Sequence, residues 1–124
     1  MARIMVVDDD GATRELLRQA LEAEGHEVEE ALDGDEGLRR YRTSRPDLVL
    51  MDLLMPDCDG LTAIHEIRRE FPGARILALS GGSQSRDLDL LPQAKRLGAL
   101  RTLEKPVEIG RLVSEVRAAV GSCA

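Results

Sequence analysis

Aromatic side chains are almost missing from this chain: Tyr41 and Phe71 are the only two, and there is no tryptophan. Its core must therefore be aliphatic, built from Leu, Val, Ile, Ala and Met. Lysine is nearly as scarce, with only Lys95 and Lys105, the other basic residues being arginines. The two cysteines, Cys58 and Cys123, show neither CxxC nor metal-ligand spacing and read as reduced thiols rather than a disulfide framework. No apolar run approaches the ~18 residues of a membrane span, and acids beginning at Asp8 rule out a signal-peptide pattern. Basic excess is lacking too. A net charge of −6 argues against a general phosphate-backbone binder and against a polybasic membrane anchor. The expectation is a soluble, cytoplasmic protein with no direct nucleic-acid contact and no membrane insertion.

What the chain does have is regular alternation. Its 124 residues are the size of one domain, able to bury a core without a disulfide or structural metal. Short, mainly apolar runs predict strands over 4–7, 48–51, 74–79 and 100–103, the first continuous and apolar, with a weaker, polar strand over 26–31 placed at a sheet edge. Helical spacing follows each run. Ala12, Leu16, Leu17, Ala20 and Leu21 form the first helix, with Gly25 as its cap. Further helices are predicted over 36–43, 61–70, 87–97 and 107–120, the last facing the core with Leu112, Val113 and Val116. Pro92 means that the fourth helix either starts late or kinks. Strand and helix in strict alternation imply a doubly wound α/β fold around a five-stranded parallel sheet with five helices. The expected organisation is a single domain over 1–124 without an output domain.

Charged residues mark the strand ends. Asp8 and Asp9 follow the first strand, Asp52 the third and Lys105 the fifth. In an open parallel sheet, ligands bind outside the carboxyl ends of the strands, so these side chains converge. Carboxylates brought together repel one another unless a hard cation such as Mg²⁺ shares them. A lysine across the same pocket suits a phosphoryl group.

Four stretches then carry a resemblance: Val6-Val7-Asp8-Asp9, the run from Met51-Asp52-Leu53-Leu54-Met55-Pro56 through Asp57-Cys58-Asp59-Gly60, Leu77-Ala78-Leu79-Ser80, and Glu104-Lys105-Pro106. Each is short, but their order and spacing are shared, and over its full length the sequence resembles a response-regulator receiver domain. The resemblance implies a flavodoxin-like sheet of strand order 2-1-3-4-5. It implies that Asp52 accepts a phosphoryl group from a phosphohistidine of a histidine kinase or histidine phosphotransfer protein. It assigns Mg²⁺ to Asp9 directly, to Asp8 largely through water, to Asp52 and to the backbone carbonyl of Leu54. Lys105 and Ser80 would contact phosphoryl oxygens, and the Lys105–Pro106 bond would be cis. A downstream protein target would read the surface of the fourth helix, fifth strand and fifth helix.

Plainer roles compete for single residues. Asp57 and Asp59 read as turn residues, Asp10 as a cap or first-turn residue of the first helix, and His26 and His65 as residues on solvated faces. The sequence also departs from the family. Thr102 stands where an aromatic switch residue is common, so the loop from Ser80 toward Gly98, with its Gly81-Gly82 pair, is expected to be the moving part. Leu54, two residues past the acceptor, is expected to overhang the acyl phosphate and exclude water. Leu54→Asn should therefore shorten a phosphoryl lifetime of more than minutes, as followed by intact mass over time. Two rivals remain: a receiver-fold interaction module that is never phosphorylated, and a haloacid-dehalogenase-type phosphatase using Asp8 and Asp10 in Asp8-Asp9-Asp10-Gly11. The phosphatase reading leaves Asp52 without a role. A flavodoxin-like cofactor binder fits poorly, because three consecutive acids repel phosphate.

Overall fold

The computed structural model describes residues 2–53, 59–80 and 90–120. The chain alternates as β1 (Arg3–Val7), α1 (Gly11–Ala23), β2 (Glu27–Ala31), α2 (Gly34–Ser44), β3 (Leu48–Asp52), α3 (Asp59–Glu70), β4 (Ile76–Ser80), α4 (Leu90–Leu97), β5 (Arg101–Glu104) and α5 (Ile109–Val120). The five strands form one sheet in the order β2-β1-β3-β4-β5, and every neighbouring pair is parallel. The doubly wound α/β fold and the edge position of the polar strand are thus as expected from the sequence.

Side chains alternate across a strand, and that period divides the core in two. Met5, Val7, Val49, Met51, Ile76 and Ala78 face α2, α3 and α4, where Tyr41, Ile64, Ile67 and Ala94 meet them. Ile4, Val6, Leu48, Leu50, Leu77 and Leu79 face α1 and α5, where Leu17, Leu21, Leu112 and Val116 meet them. The central strands β3 and β4 are buried at every position, which is why they read as unbroken apolar runs. Strand β2 carries Glu27, Glu29 and Glu30, charges that discourage pairing of a further strand onto the open edge. The two aromatic rings, Tyr41 and Phe71, pack with centroids 4.9 Å apart, and the Arg45 guanidinium lies over Phe71.

Several boundaries differ from the sequence expectation. Strand β2 begins at Glu27, because the His26 N–H bonds the Leu21 carbonyl and closes the end of α1 instead. Strand β3 runs on to include Asp52, paired with Leu79, and β4 ends with Ser80, paired with Glu104. Pro92 sits in the first turn of α4, as the late-start alternative required. Leu16 is 52 % exposed, so the apolar stripe of α1 is narrower than its spacing suggested. The Lys105–Pro106 bond is cis. Leu54, Pro56, Asp57, Cys58, Cys123 and the Gly81-Gly82 loop lie outside the described residues.

His65 is exposed, as expected of a solvated face, but His26 is half-buried and partnered. Its Nδ1 accepts the Ala2 N–H at 3.0 Å. Burial pushes its pKa below 6.5, since a charged ring would be poorly solvated there. The folded state thus favours neutral imidazole. The resulting stability is present above the ordinary histidine pKa and is lost as pH falls through the lower folded value. Between about pH 7 and about pH 5, the urea midpoint of the wild type should fall more steeply than that of His26→Gln. Parallel profiles would show that burial of the His26 ring contributes nothing to the pH dependence.

Candidate functional site

The sheet delivers its charged residues to one end. Asp52 closes the central strand β3, and Asp8 and Asp9 follow β1, its neighbour on one side. Ser80 closes β4, the neighbour on the other side, and Lys105 follows β5 beyond it. The structure brings Asp8, Asp9 and Asp52 together: a carboxylate oxygen from each lies within 4.8 Å of the others. Lys105 reaches across to them, its Nζ 2.8 Å from Asp8 Oδ2 and 3.3 Å from Asp52 Oδ1. Ser80 is buried one position past the Asp52–Leu79 pair, and its carbonyl accepts the Lys105 N–H at 2.7 Å. The backbone carbonyl assigned to Leu54 lies outside the described residues.

Burial differs sharply within the group. Asp8 is 0 % and Asp52 1 % exposed, whereas Asp9 faces solvent. Carboxylates almost never bury without partners. Asp8 has them: Oδ1 accepts the Asp10 N–H at 2.9 Å and Oδ2 accepts from Lys105. Burial opposes the charge on Lys105, but its hydrogen bond to Asp8 and the nearby Asp52 charge outweigh burial and raise its pKa. It is therefore a cation throughout the physiological range. Among the described residues, three carboxylates meet the one lysine here. Hard oxygen donors at this separation fit a divalent cation.

Asp10 takes the plainer role foreseen for it. It is the N-cap of α1, its carboxylate accepting the Thr13 N–H and, at 2.5 Å, the Thr13 hydroxyl. The Thr13 hydrogen bond holds its carboxyl below the usual carboxylate range. Engaged in capping, Asp10 is poorly placed for the acid role that a phosphatase would give it. One residue escaped the sequence reading. Arg14 donates from Nη1 to the Asp8 carbonyl at 2.7 Å and from Nε to Glu30 Oε1 at 3.0 Å. Only its place one turn into the helix after the acidic loop hinted at it.

A family model described as the response regulator receiver domain matches residues 4–117. The chain belongs to the response regulator receiver domain family. Among its relatives are the chemotaxis protein CheY of Thermotoga maritima, 34 % identical over 90 % of this chain and 91 % of that protein, and the KDP operon transcriptional regulatory protein KdpE of Escherichia coli, 36 % identical over 97 % of this chain and 52 % of that protein. The chain thus spans about half the length of KdpE. A response regulator receiver domain protein from Clostridium thermocellum superposes with a TM-score of 0.89 at 31 % identity, covering 98 % of this chain and 96 % of that one. Receiver domains are signalling domains of two-component systems. No helix among the described residues is long and apolar enough to cross a membrane.

Proposed function

We propose that this receiver domain acts as a cytoplasmic phosphoryl acceptor in a two-component phosphorelay, with Asp52 as the acceptor and Mg²⁺ as its cofactor. The observation that carries this reading is the buried Asp52 carboxylate at the end of the central strand, with Lys105 Nζ 3.3 Å away and two further acids beside it. A carboxylate oxygen of Asp52 attacks phosphorus. The bond from phosphorus to the donor imidazole nitrogen breaks, and its electron pair stays on that nitrogen. Little covalent help is needed; positioning and neutralisation of the phosphoryl oxygens do most of the work. Asp8, Asp9 and Asp52 would hold Mg²⁺, which when bound would supply part of that neutralisation. Lys105 supplies the rest from the opposite side, and Ser80 donates its hydroxyl to a phosphoryl oxygen.

The donor is a histidine kinase or a histidine phosphotransfer protein. The output is altered binding of a protein target by the face of α4, β5 and α5, where Leu100 and Ile109 stand 47 % and 37 % exposed. Thr102 pairs with Ala78 in β5 and cannot act as an aromatic rotamer switch.

Incubation with acetyl phosphate and MgCl₂, followed by intact mass, tests the reading. One added phosphoryl group, absent when EDTA replaces Mg²⁺, is expected. No adduct in either condition, together with no beryllofluoride binding, would leave the silent interaction module as the better account.

A further inference from the structure

We propose that Arg14 is a positioning residue for the acidic loop between β1 and α1, and that it raises the affinity of that loop for a divalent cation although it adds a positive charge beside the site. The cation half of this rests on the reading of Asp8 and Asp9 given above.

The geometry makes the case. The Asp8 carbonyl that Arg14 holds belongs to the same rigid peptide plane as the Asp9 N–H. The orientation of that plane sets where the Asp9 Cα, and so its carboxylate, lies. The preceding peptide is held too, by the Asp8 N–H bonded to the Ala31 carbonyl at 3.2 Å. The following one is held by the Asp10 N–H on Asp8 Oδ1. Arg14 therefore closes the one remaining grip on a turn whose other contacts are already made. The guanidinium is itself oriented. Its Nε is fixed on Glu30 of β2, whose second oxygen faces Arg18 Nε at 3.4 Å, and its side chain is only 16 % exposed. A planar fork with two fixed partners has little freedom left to lose.

Charge and position predict opposite signs, which makes the inference testable. Were Arg14 only a charge, removing it would tighten cation binding. If it positions the loop, removing it weakens binding, by about tenfold for the loss of such a supporting contact. MgCl₂ titrated into wild type, Arg14→Met, Arg14→Lys and Arg18→Met by calorimetry separates the two. Arg18→Met removes the same charge from the same network but no contact to Asp8. It should bind Mg²⁺ at least as tightly as wild type, while Arg14→Met binds more weakly and Arg14→Lys recovers part of the loss. A second measurement needs no metal. In Arg14→Met, the Asp10 amide should exchange with solvent severalfold faster, while core amides such as that of Leu50 keep their protection. Mg²⁺ binding by Arg14→Met as tight as wild type, or an unchanged Asp10 amide, overturns the proposal. A wild type that binds no Mg²⁺ overturns the reading of the acidic group itself, and the exchange data then still report whether Arg14 holds the loop.

Discussion

Asp52→Asn is expected to take no phosphoryl group from acetyl phosphate at any Mg²⁺ concentration, and yet to be at least as stable as the wild type. The two halves have one cause. Asp52 is 1 % exposed and its carboxylate lies within 4.8 Å of those of Asp8 and Asp9. At an effective dielectric of about 20, unit charges at such a separation repel by roughly 3 kcal/mol. Asparagine removes that repulsion from two neighbours, and the 3.3 Å contact of Lys105 with the carboxylate loses its charge. Lys105 keeps its shorter contact, 2.8 Å to Asp8. Relief of the repulsion is expected to outweigh the lost contact, visible as a urea midpoint without Mg²⁺ at least as high as that of the wild type. The amide is no nucleophile toward phosphorus, so the adduct vanishes entirely. Mg²⁺ should also cease to stabilise the protein. Tenfold over its dissociation constant, a ligand of the native state contributes about 1.4 kcal/mol, and the variant loses most of this with one anionic ligand gone. An adduct that survives in Asp52→Asn would move the acceptor elsewhere. A variant less stable than wild type would mean that the carboxylate group is a structural network and not a site held under repulsion.

That such a site could be foreseen at all depends on which interactions a sequence displays. Strands buried on both faces write themselves as apolar runs, and an acid at the end of such a run has little reason to be there except to face the crevice. Asp8, Asp9 and Asp52 were readable in this way, Lys105 by its place after the fifth strand, and so was the sheet that assembles them. Boundaries were less so: Asp52 and Ser80 belong to their strands, because pairing with Leu79 and Glu104 outlasts the hydrophobic pattern. His26 reads as solvated and is not, because its partner is the backbone of Ala2, brought to it by pairing between β1 and β2. Arg14 was invisible for a related reason. Its role depends on where a long, flexible side chain turns, and one of its two partners is a carbonyl that no residue identity encodes. Side-chain contacts to backbone are the class that pattern reading misses.

Gly60 is a further case, and the one with the largest expected structural effect. The sequence places it at the end of the stretch that begins with Met51-Asp52 but supplies no reason for a glycine there. The structure does: a Cβ at Gly60 would lie 2.3 Å from the Asp52 carbonyl oxygen and 3.1 Å from the Leu53 Cα. Both atoms are backbone, and Asp52 is locked by its pairing with Leu79, so nothing can swing aside. Gly60→Ala must push the start of α3 away from the end of β3, at the cost of packing by Ala63, Ile64 and Ile67. Overpacking of this kind costs about 3 kcal/mol, or roughly 12 °C in Tm for a domain of this size. Gly73→Ala is the control. No atom lies within 4 Å of its added Cβ, so it should be neutral or stabilise by about 0.5 kcal/mol. The clash also bears on the proposed chemistry, because it strikes the carbonyl of Asp52, the proposed phosphoryl acceptor. Phosphorylation of Gly60→Ala, measured well below its lowered Tm, should fall further than the folded fraction does. Equal losses would make Gly60 a packing residue only. An excess loss of phosphorylation would show that contact between α3 and the end of β3 sets the position of the Asp52 carboxylate.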